Sequence, residues 1–206
     1  MAWLANPIRA AVLLGLLLTA APPIQAQTLQ PPRPRQGYWV GCSGVGAFSV
    51  LTEEGRNRGL YAGGGVTLRA GQLLTERLGL GVLLEYGAIQ KGSDKGSIGG
   101  LILEGSARLW RGLSAHTGVG FGFVGMTDRN ATDKSLRGGA GAYTLAGVSY
   151  DFFPWHHRAS GGWALTPTLD FHAMPDGNIH AYTTLAGLQI TWWSGLPANK
   201  LATPDQ

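Results

Sequence analysis

Six ionisable side chains lie within segments of the sequence that are otherwise apolar or small. They are Arg69, Glu85, Glu104, Arg108, Asp170 and His172. On the alternation described below, all six fall on the face opposite the large apolar side chains, so we expect them to face the interior of one domain. Charges removed from water must be paired. The pattern therefore predicts an internal network of salt bridges and hydrogen bonds. A narrow path for ions or small solutes is the alternative, and a catalytic site is a third possibility.

Three further patterns suggest chemistry but lack the context that the chemistry needs. Ser114 and His116 share one face of a segment, yet the sequence indicates no acidic partner for them. Adjacent histidines, His156-His157, would point in opposite directions along a strand, without the cluster of ligands that a metal requires. The glycine run at 118–122 lies within a strand segment with no helix after it, which excludes a phosphate-binding loop. We expect no catalytic residue, no metal site and no cofactor.

The elements that must position these side chains are strands, because no stretch beyond Gly37 has a helical period. Segments of about ten residues alternate between apolar and small or polar side chains, the length that a tilted strand needs to cross a bilayer. The eight predicted strands are Tyr38–Val50, Leu60–Ala70, Leu78–Gln90, Ile98–Trp110, Leu113–Met126, Ala140–Phe152, Trp163–Ala173 and Ile179–Trp193.

The two faces of these segments differ in polarity. In the third segment Leu78, Leu80, Val82, Leu84 and Tyr86 share one face, and the other face carries three glycines, Leu83 and Glu85. An apolar face turned to lipid and a small, polar or charged face turned inward are typical of a membrane barrel. We predict an all-β fold, an eight-stranded antiparallel up-and-down transmembrane β-barrel. A soluble exported barrel that binds an apolar ligand is the alternative, and it would carry the apolar face inside.

Tryptophan supports the membrane interpretation, because its ring is apolar and its N–H needs a polar partner at the interface. If the strands alternate in direction, all tryptophans after the N-terminal segment fall at one rim. These predicted interface residues are Trp39, Trp110, Trp155, Trp163, Trp192 and Trp193. A second aromatic girdle is predicted at the opposite rim, with Phe48, Tyr61, Tyr143 and Tyr182.

The connections are predicted from turn residues and from the spacing of the segments. Arg111-Gly112 indicates a short turn at the tryptophan rim, and Leu51–Gly59 and Thr127–Gly139 indicate surface loops at the other. Phe153–Gly162 is long for a turn at the tryptophan rim, and Pro167 leaves a strand without one hydrogen-bond donor.

The N-terminus has the features of a secretory signal. Arg9 precedes an apolar run, Ala10–Ala21, that is shorter than the roughly 20 residues of a membrane-spanning helix. Ile24-Gln25-Ala26 fits a cleavage site before Gln27. We therefore predict a signal peptide at 1–26, a Pro-rich leader at 27–36, the barrel at 37–193 and a polar periplasmic tail at 194–206.

Composition narrows the possible classes of protein. The chain has 33 glycines in 206 residues, which suits tightly curved sheets, and Cys42 is its one cysteine, so no internal disulfide can form. The net charge is +4, but the basic residues are scattered rather than gathered on one face. We therefore expect no nucleic-acid partner.

The last predicted strand carries a pattern seen at the end of bacterial outer-membrane barrels. Gly187, Ile190 and Trp192 resemble the C-terminal signal that the barrel-assembly machinery recognises, although 194–206 follow it here. With its eight strands and aromatic girdles, the region Gly37–Trp193 resembles the small barrels of the OmpA transmembrane-domain and OmpX type. That resemblance implies a monomer in contact with the lipid of a Gram-negative outer membrane.

Three functions follow from this sequence. A structural or surface-interaction barrel without catalysis is favoured, a narrow channel for small solutes or ions is the first alternative, and the soluble apolar-ligand carrier is the second. Lipid-modifying enzymes exist on this scaffold. Ser114 and His116 stand in the reverse order to the serine and histidine of lipid A deacylases, which argues against that activity.

Overall fold

In a computed structural model of the chain, the described residues are 37–110, 112–127, 136–154, 162–175 and 179–195. They form eight strands: β1 (Tyr38–Glu53), β2 (Arg56–Leu73), β3 (Leu78–Lys91), β4 (Asp94–Trp110), β5 (Leu113–Thr127), β6 (Leu136–Tyr150), β7 (Gly162–Met174) and β8 (Ile179–Trp193). The predicted signal peptide, the leader, Trp155, His156-His157 and the tail beyond Gly195 lie outside the described residues. No helix able to cross a membrane occurs in the described part of the chain.

Each strand pairs antiparallel with its neighbours, and β8 pairs with β1 to close the barrel. The predicted fold class is confirmed. Following paired residues around all eight strands from Val40 leads back to β1 at Val50, a stagger of ten residues. A stagger of this kind requires strands tilted by roughly 40° to the barrel axis. We call the end that carries Tyr38 and Trp193 the terminal rim, and the end that carries Glu53 and Ile179 the opposite rim.

Two connections at the opposite rim are shorter than predicted. Residues 51–59 do not form a loop, because β1 and β2 extend to a two-residue turn at Glu54 and Gly55, both with positive φ. Positive φ at both central residues is the type I′ geometry that matches the twist of paired strands. Gly92 and Ser93 form another two-residue turn, between β3 and β4, in which only Gly92 has positive φ. The region 127–139 also begins and ends within strands, and its residues 128–135 lie outside the described part.

Pro167 interrupts the ladder between β6 and β7 without shifting its register. The pairs end at Ser149 and Thr168 and resume at the isolated bridge between Phe152 and Leu165. Phe152 and Leu165 exchange both backbone hydrogen bonds. Pro167 lies two residues from Leu165 and opposite Tyr150, so it occupies another position at which an antiparallel ladder needs a backbone donor. Proline cannot donate there. This ladder has six consecutive pairs, whereas every other ladder has at least twelve.

The interior is divided between an apolar half and a polar half. The apolar half lies toward the opposite rim: its core includes Leu51, Ile89, Ile98, Met174 and Ile179. The polar half lies toward the terminal rim and holds Arg69, Glu104 and His116, whereas Glu85 and His172 lie among core residues nearer the middle of the barrel. The prediction of a small, polar or charged interior is therefore wrong for the half near the opposite rim, where the inward positions are filled by large apolar side chains.

The outward face forms a continuous apolar surface, which we call the apolar belt. Its large members on β3 and β4 are Leu78, Leu80, Val82, Leu84, Tyr86, Leu101, Leu103 and Leu109, and all are exposed. Between the two rims, the outward positions of the described strands carry no Asp, Glu, Lys or Arg, and Lys95 lies on this face only where β4 begins at the opposite rim. Thr117 and Thr144, which lie on this face, donate to the carbonyl oxygens of Leu145 and Ala173 on neighbouring strands, at 2.9 and 3.2 Å.

Several interior glycines leave room for one large side chain each. A Cβ at Gly122 would lie 2.7 Å from the Tyr143 ring, and one at Gly71 would lie 2.8 Å from the Trp39 ring. Both distances are too short for real contacts. Part of the high glycine content is thus explained by bulky inward residues that pack against bare backbone.

We expect the substitution Gly122→Ala to destabilise the barrel by about 1–3 kcal/mol, because overpacking forces Tyr143 from its position. Gly44→Ala is the matched control, since a Cβ there meets no atom within 4 Å. Urea unfolding of both variants in lipid vesicles measures the difference. Equal stability of the two variants would contradict the packing role of Gly122.

Candidate functional site

The centre of the polar half is a cluster of four charged or ionisable side chains from four strands. Arg69 projects from β2, Glu104 from β4, His116 from β5 and Asp170 from β7, and all four are buried. Arg69 Nη2 lies 2.6 Å from Asp170 Oδ2, and Arg69 Nε lies 3.6 Å from Glu104 Oε2. His116 Nε2 donates to Asp170 Oδ1 at 2.5 Å. A buried arginine with two carboxylates and a bridging histidine is the paired arrangement that burial demands.

A second polar group joins this cluster to the apolar core. Tyr143 donates its hydroxyl to Glu85 Oε1 at 2.5 Å, and His172 Nδ1 lies 3.3 Å from Glu85 Oε2. The rings of Tyr143 and His172 are 5.2 Å apart between centroids. His172 has no exposed surface, and its Nε2 has no hydrogen-bond partner among the described residues.

The structure places five of the six predicted network residues in these two groups: Arg69, Glu85, Glu104, Asp170 and His172. Arg108 stands apart, half-buried near the terminal rim.

Sequence reasoning missed two members, His116 and Tyr143. The inward position of both can be deduced from the alternation of side chains along their strands. On β5 the outward side chains include Val119 and Phe121, so the even-numbered His116 faces inward. On β6 the exposed Val148 places the odd-numbered Tyr143 inside.

A cavity of about 50 Å³ lies between the Arg69 cluster and the terminal rim. Glu104, Ser106 and Arg108 line it from β4, and Gln189 and Thr191 from β8. Gln189 Nε2 donates to the Thr191 hydroxyl at 2.7 Å. Opposite them, Thr166 donates to Asp151. Hydrogen-bond donors and acceptors therefore both line this cavity.

Two tryptophans predicted at the membrane interface instead narrow the mouth of this cavity. Trp39 and Trp193 are buried, with ring centroids 5.9 Å apart, and they pack with Leu73 and Ala164. The prediction is wrong for these two because Val40 and Trp192 occupy the outward positions beside them, and alternation turns the neighbouring side chains inward. Trp110, Trp163 and Trp192 are exposed on the outward face at this rim.

The second predicted girdle divides in the same way. Phe48 and Tyr182 are exposed on the outward face, whereas Tyr61 and Tyr143 are buried. The prediction is wrong for these two tyrosines, because their strand positions have inward parity.

The pair Ser114 and His116 lies at the cavity near the terminal rim. Asp170 supplies the acidic partner for His116 that the sequence did not indicate, and Ser114 lines the same cavity. However, no hydrogen bond joins Ser114 to His116 in the described part of the chain, and His116 Nε2 is bonded to Asp170. Within the described residues, no group of three His, Cys, Asp or Glu side chains is arranged to hold a metal ion.

The middle of the barrel separates the cavity from a second one, also of about 50 Å³, under the opposite rim. Along β4, Ile98 and Ile102 belong to the apolar core, and the cavity begins at Glu104. Along β8, Leu185 is in the core and Gln189 lines the cavity. Core residues such as Ile98, Ile102 and Leu185 therefore lie between the two cavities.

The fold is shared with solved outer-membrane proteins. The attachment invasion locus protein Ail of Yersinia pestis superposes with a TM-score of 0.59 at 12% identity, over 76% of this chain and 99% of that one. Neisserial surface protein A superposes with a TM-score of 0.52 at 13% identity, over 76% and 97%. No protein-family model matches the sequence, and no curated protein shows significant similarity to it.

Proposed function

Because the chain has the fold of the small outer-membrane barrels, we propose that it is an outer-membrane protein with a structural or surface-interaction role and no catalysis. The observation that carries this proposal is the apolar belt. Thirty large hydrophobic side chains of the described residues are exposed. A soluble monomer rarely exposes a contiguous apolar patch larger than a few hundred square ångströms, and a surface with this many large apolar side chains exceeds that.

The height of the belt agrees with a bilayer. Every second residue from Leu78 to Ala88 on β3 faces outward, and these residues form one row of the belt. Eleven residues that rise about 3.3 Å each at a tilt of roughly 40° span about 25 Å, the height of the apolar band on membrane barrels. Thr117 and Thr144 on this face donate to backbone carbonyls, which suits hydroxyl groups where no water is present.

The outward aromatics support an orientation with both termini in the periplasm. Trp110, Trp163 and Trp192 lie at the terminal rim, where amphipathic rings suit the headgroup region. Gly187, Ile190 and Trp192 lie on β8, the strand that closes the barrel by pairing with β1. We propose that they form the signal read by the assembly machinery after export through the signal peptide at 1–26, and that the barrel is a monomer in outer-membrane lipid.

The two alternative functions have less support. A channel would need a path past Leu83, Ile102 and Met174, each of which is fully buried in the packed core. A soluble carrier of an apolar ligand would need its polar residues outside, whereas Glu85 and Asp170 are buried inside.

Heat-modifiable migration on SDS gels tests the proposal. The unboiled protein, taken from an outer-membrane fraction, is expected to migrate faster than the boiled protein, because closed barrels resist SDS until heated. Recovery in a soluble fraction, with mobility unaffected by boiling, would contradict it.

Conductance measurements address the channel alternative separately. In planar lipid bilayers we expect no conductance steps above background. Steps that disappear when Glu104 and Arg108 are both changed to alanine would instead support a channel through the polar half.

A further inference from the structure

Three buried polar atoms around the cavity at the terminal rim have no hydrogen-bond partner among the described residues. They are Arg69 Nε, Glu104 Oε2 and Gln189 Oε1. Each belongs to a side chain that is at least nine-tenths buried and lines the cavity. An unsatisfied buried group costs about 1–3 kcal/mol, and more when it is charged, so three in one place require a partner.

The chemistry of the three atoms identifies that partner. One is a donor and two are acceptors, and the neighbouring Ser106 and Ser114 hydroxyls can do either. An anion would satisfy Arg69 but not Glu104, and a cation would do the reverse. Water both donates and accepts. Arg69 Nε and Glu104 Oε2 lie 3.6 Å apart, a separation at which a bridging water is expected.

The size of the cavity agrees with this assignment. A buried water needs a cavity of at least about 10–15 Å³ and two to four polar partners. The cavity, at about 50 Å³, is large enough for water and has those partners. Its counterpart under the opposite rim is lined by Glu53, Arg58 and Asp94 as well as by core residues such as Leu51 and Ile179, and no buried polar side-chain atom around it lacks a partner among the described residues.

We infer that the cavity is a hydrated vestibule, open at the terminal rim and closed at the middle of the barrel, whose resident water completes the hydrogen bonds of Arg69, Glu104 and Gln189. The packed core that includes Ile102 and Leu185 closes the vestibule on the side of the opposite rim. Solvent reaches the central ion pairs from one side only.

Cysteine accessibility tests the inference, with Cys42→Ala as the background because Cys42 is the one cysteine of the chain. Thr191→Cys places a thiol in the vestibule, and Leu185→Cys places one in the dry core on the same inward face of β8. Both native side chains are at most 3% exposed, so static exposure does not separate them. A small charged methanethiosulfonate reagent, applied to the folded protein in detergent, is expected to modify Thr191→Cys at least tenfold faster. Equal, slow rates would overturn the inference.

A pair of valine substitutions tests the inference independently, because the change in the urea midpoint has opposite signs for a hydrated and an empty cavity. Ser106→Val fills the vestibule, and Ser97→Val makes the same change on the outward face of β4. If water occupies the cavity, Ser106→Val displaces it and lowers the urea midpoint below that of Ser97→Val. A higher midpoint for Ser106→Val would show that the cavity is dry and would overturn the inference, even if Thr191→Cys failed to fold.

Discussion

Changing Asp170 to alanine is expected to destabilise the barrel by about 3–5 kcal/mol, the cost of leaving a buried charge without its partner. Asp170 accepts from both Arg69 and His116, at 2.6 and 2.5 Å, and is 2% exposed. Its removal leaves the Arg69 guanidinium in the barrel interior with Glu104 as the nearest carboxylate, at 3.6 Å. Urea unfolding in lipid vesicles, followed by tryptophan fluorescence, measures the loss.

Thr168→Ala is the matched control, because Thr168 lies two residues away on the same inward face of β7 and carries no charge. Adding Arg69→Met to Asp170→Ala removes both charges, so the double variant is expected to lose less stability than the sum of the two single changes. Additive losses, or an Asp170→Ala variant no less stable than Thr168→Ala, would mean that the ion pair does not hold the four strands together.

The strands could be predicted from the sequence because their signal is local. A period of two is visible in any ten residues, and in β3 the alternation of Leu78, Leu80 and Val82 with glycine sets both the strand and its outward face. Strand ends were less predictable. The turn at Glu54 and Gly55 requires a non-glycine residue with positive φ, which the composition of 51–59 does not indicate.

The composition of the network was predictable, but its pairing was not. Arg69 and Asp170 are 101 residues apart in the chain, and they meet because the barrel closes with a stagger of ten residues. No local pattern sets that stagger, since it depends on the register of all eight ladders together. Parity could have identified His116 and Tyr143. Position at a rim was the weaker guide, and it led to the wrong assignment for Tyr61, Tyr143, Trp39 and Trp193.

The division of the interior explains how a barrel of this size combines buried charge with stability. Arg69, Glu104 and His116 lie on the side of the terminal rim, and the packed cluster that includes Leu83 and Ile102 begins beside them and extends toward the opposite rim. Since the outward face carries no charged side chain between the two rims, the charges of the strands lie either in the interior or at the rims. The interior network is therefore a consequence of the membrane surface as well as a feature of the core.

An arginine in the middle of the apolar belt is expected to have the second large effect. Leu84 lies near the centre of β3, faces outward and is half exposed. If the belt contacts lipid, Leu84→Arg places a charge at the bilayer midplane and costs about 2–4 kcal/mol. On a soluble barrel the same change would be close to neutral, because surface substitutions usually alter stability by less than about 0.5 kcal/mol.

Leu78→Arg is the matched control, since Leu78 lies on the same outward row of β3 at the terminal rim. Near the interface the cost falls to about 0–1 kcal/mol. Unfolding of both variants in lipid vesicles therefore measures a depth profile along one strand, which a general intolerance of arginine on this surface cannot produce. Equal costs at the two positions would argue against a bilayer around the belt. A large cost at Leu84 with a small one at Leu78 would locate the midplane and support the outer-membrane proposal through the exterior of the barrel alone.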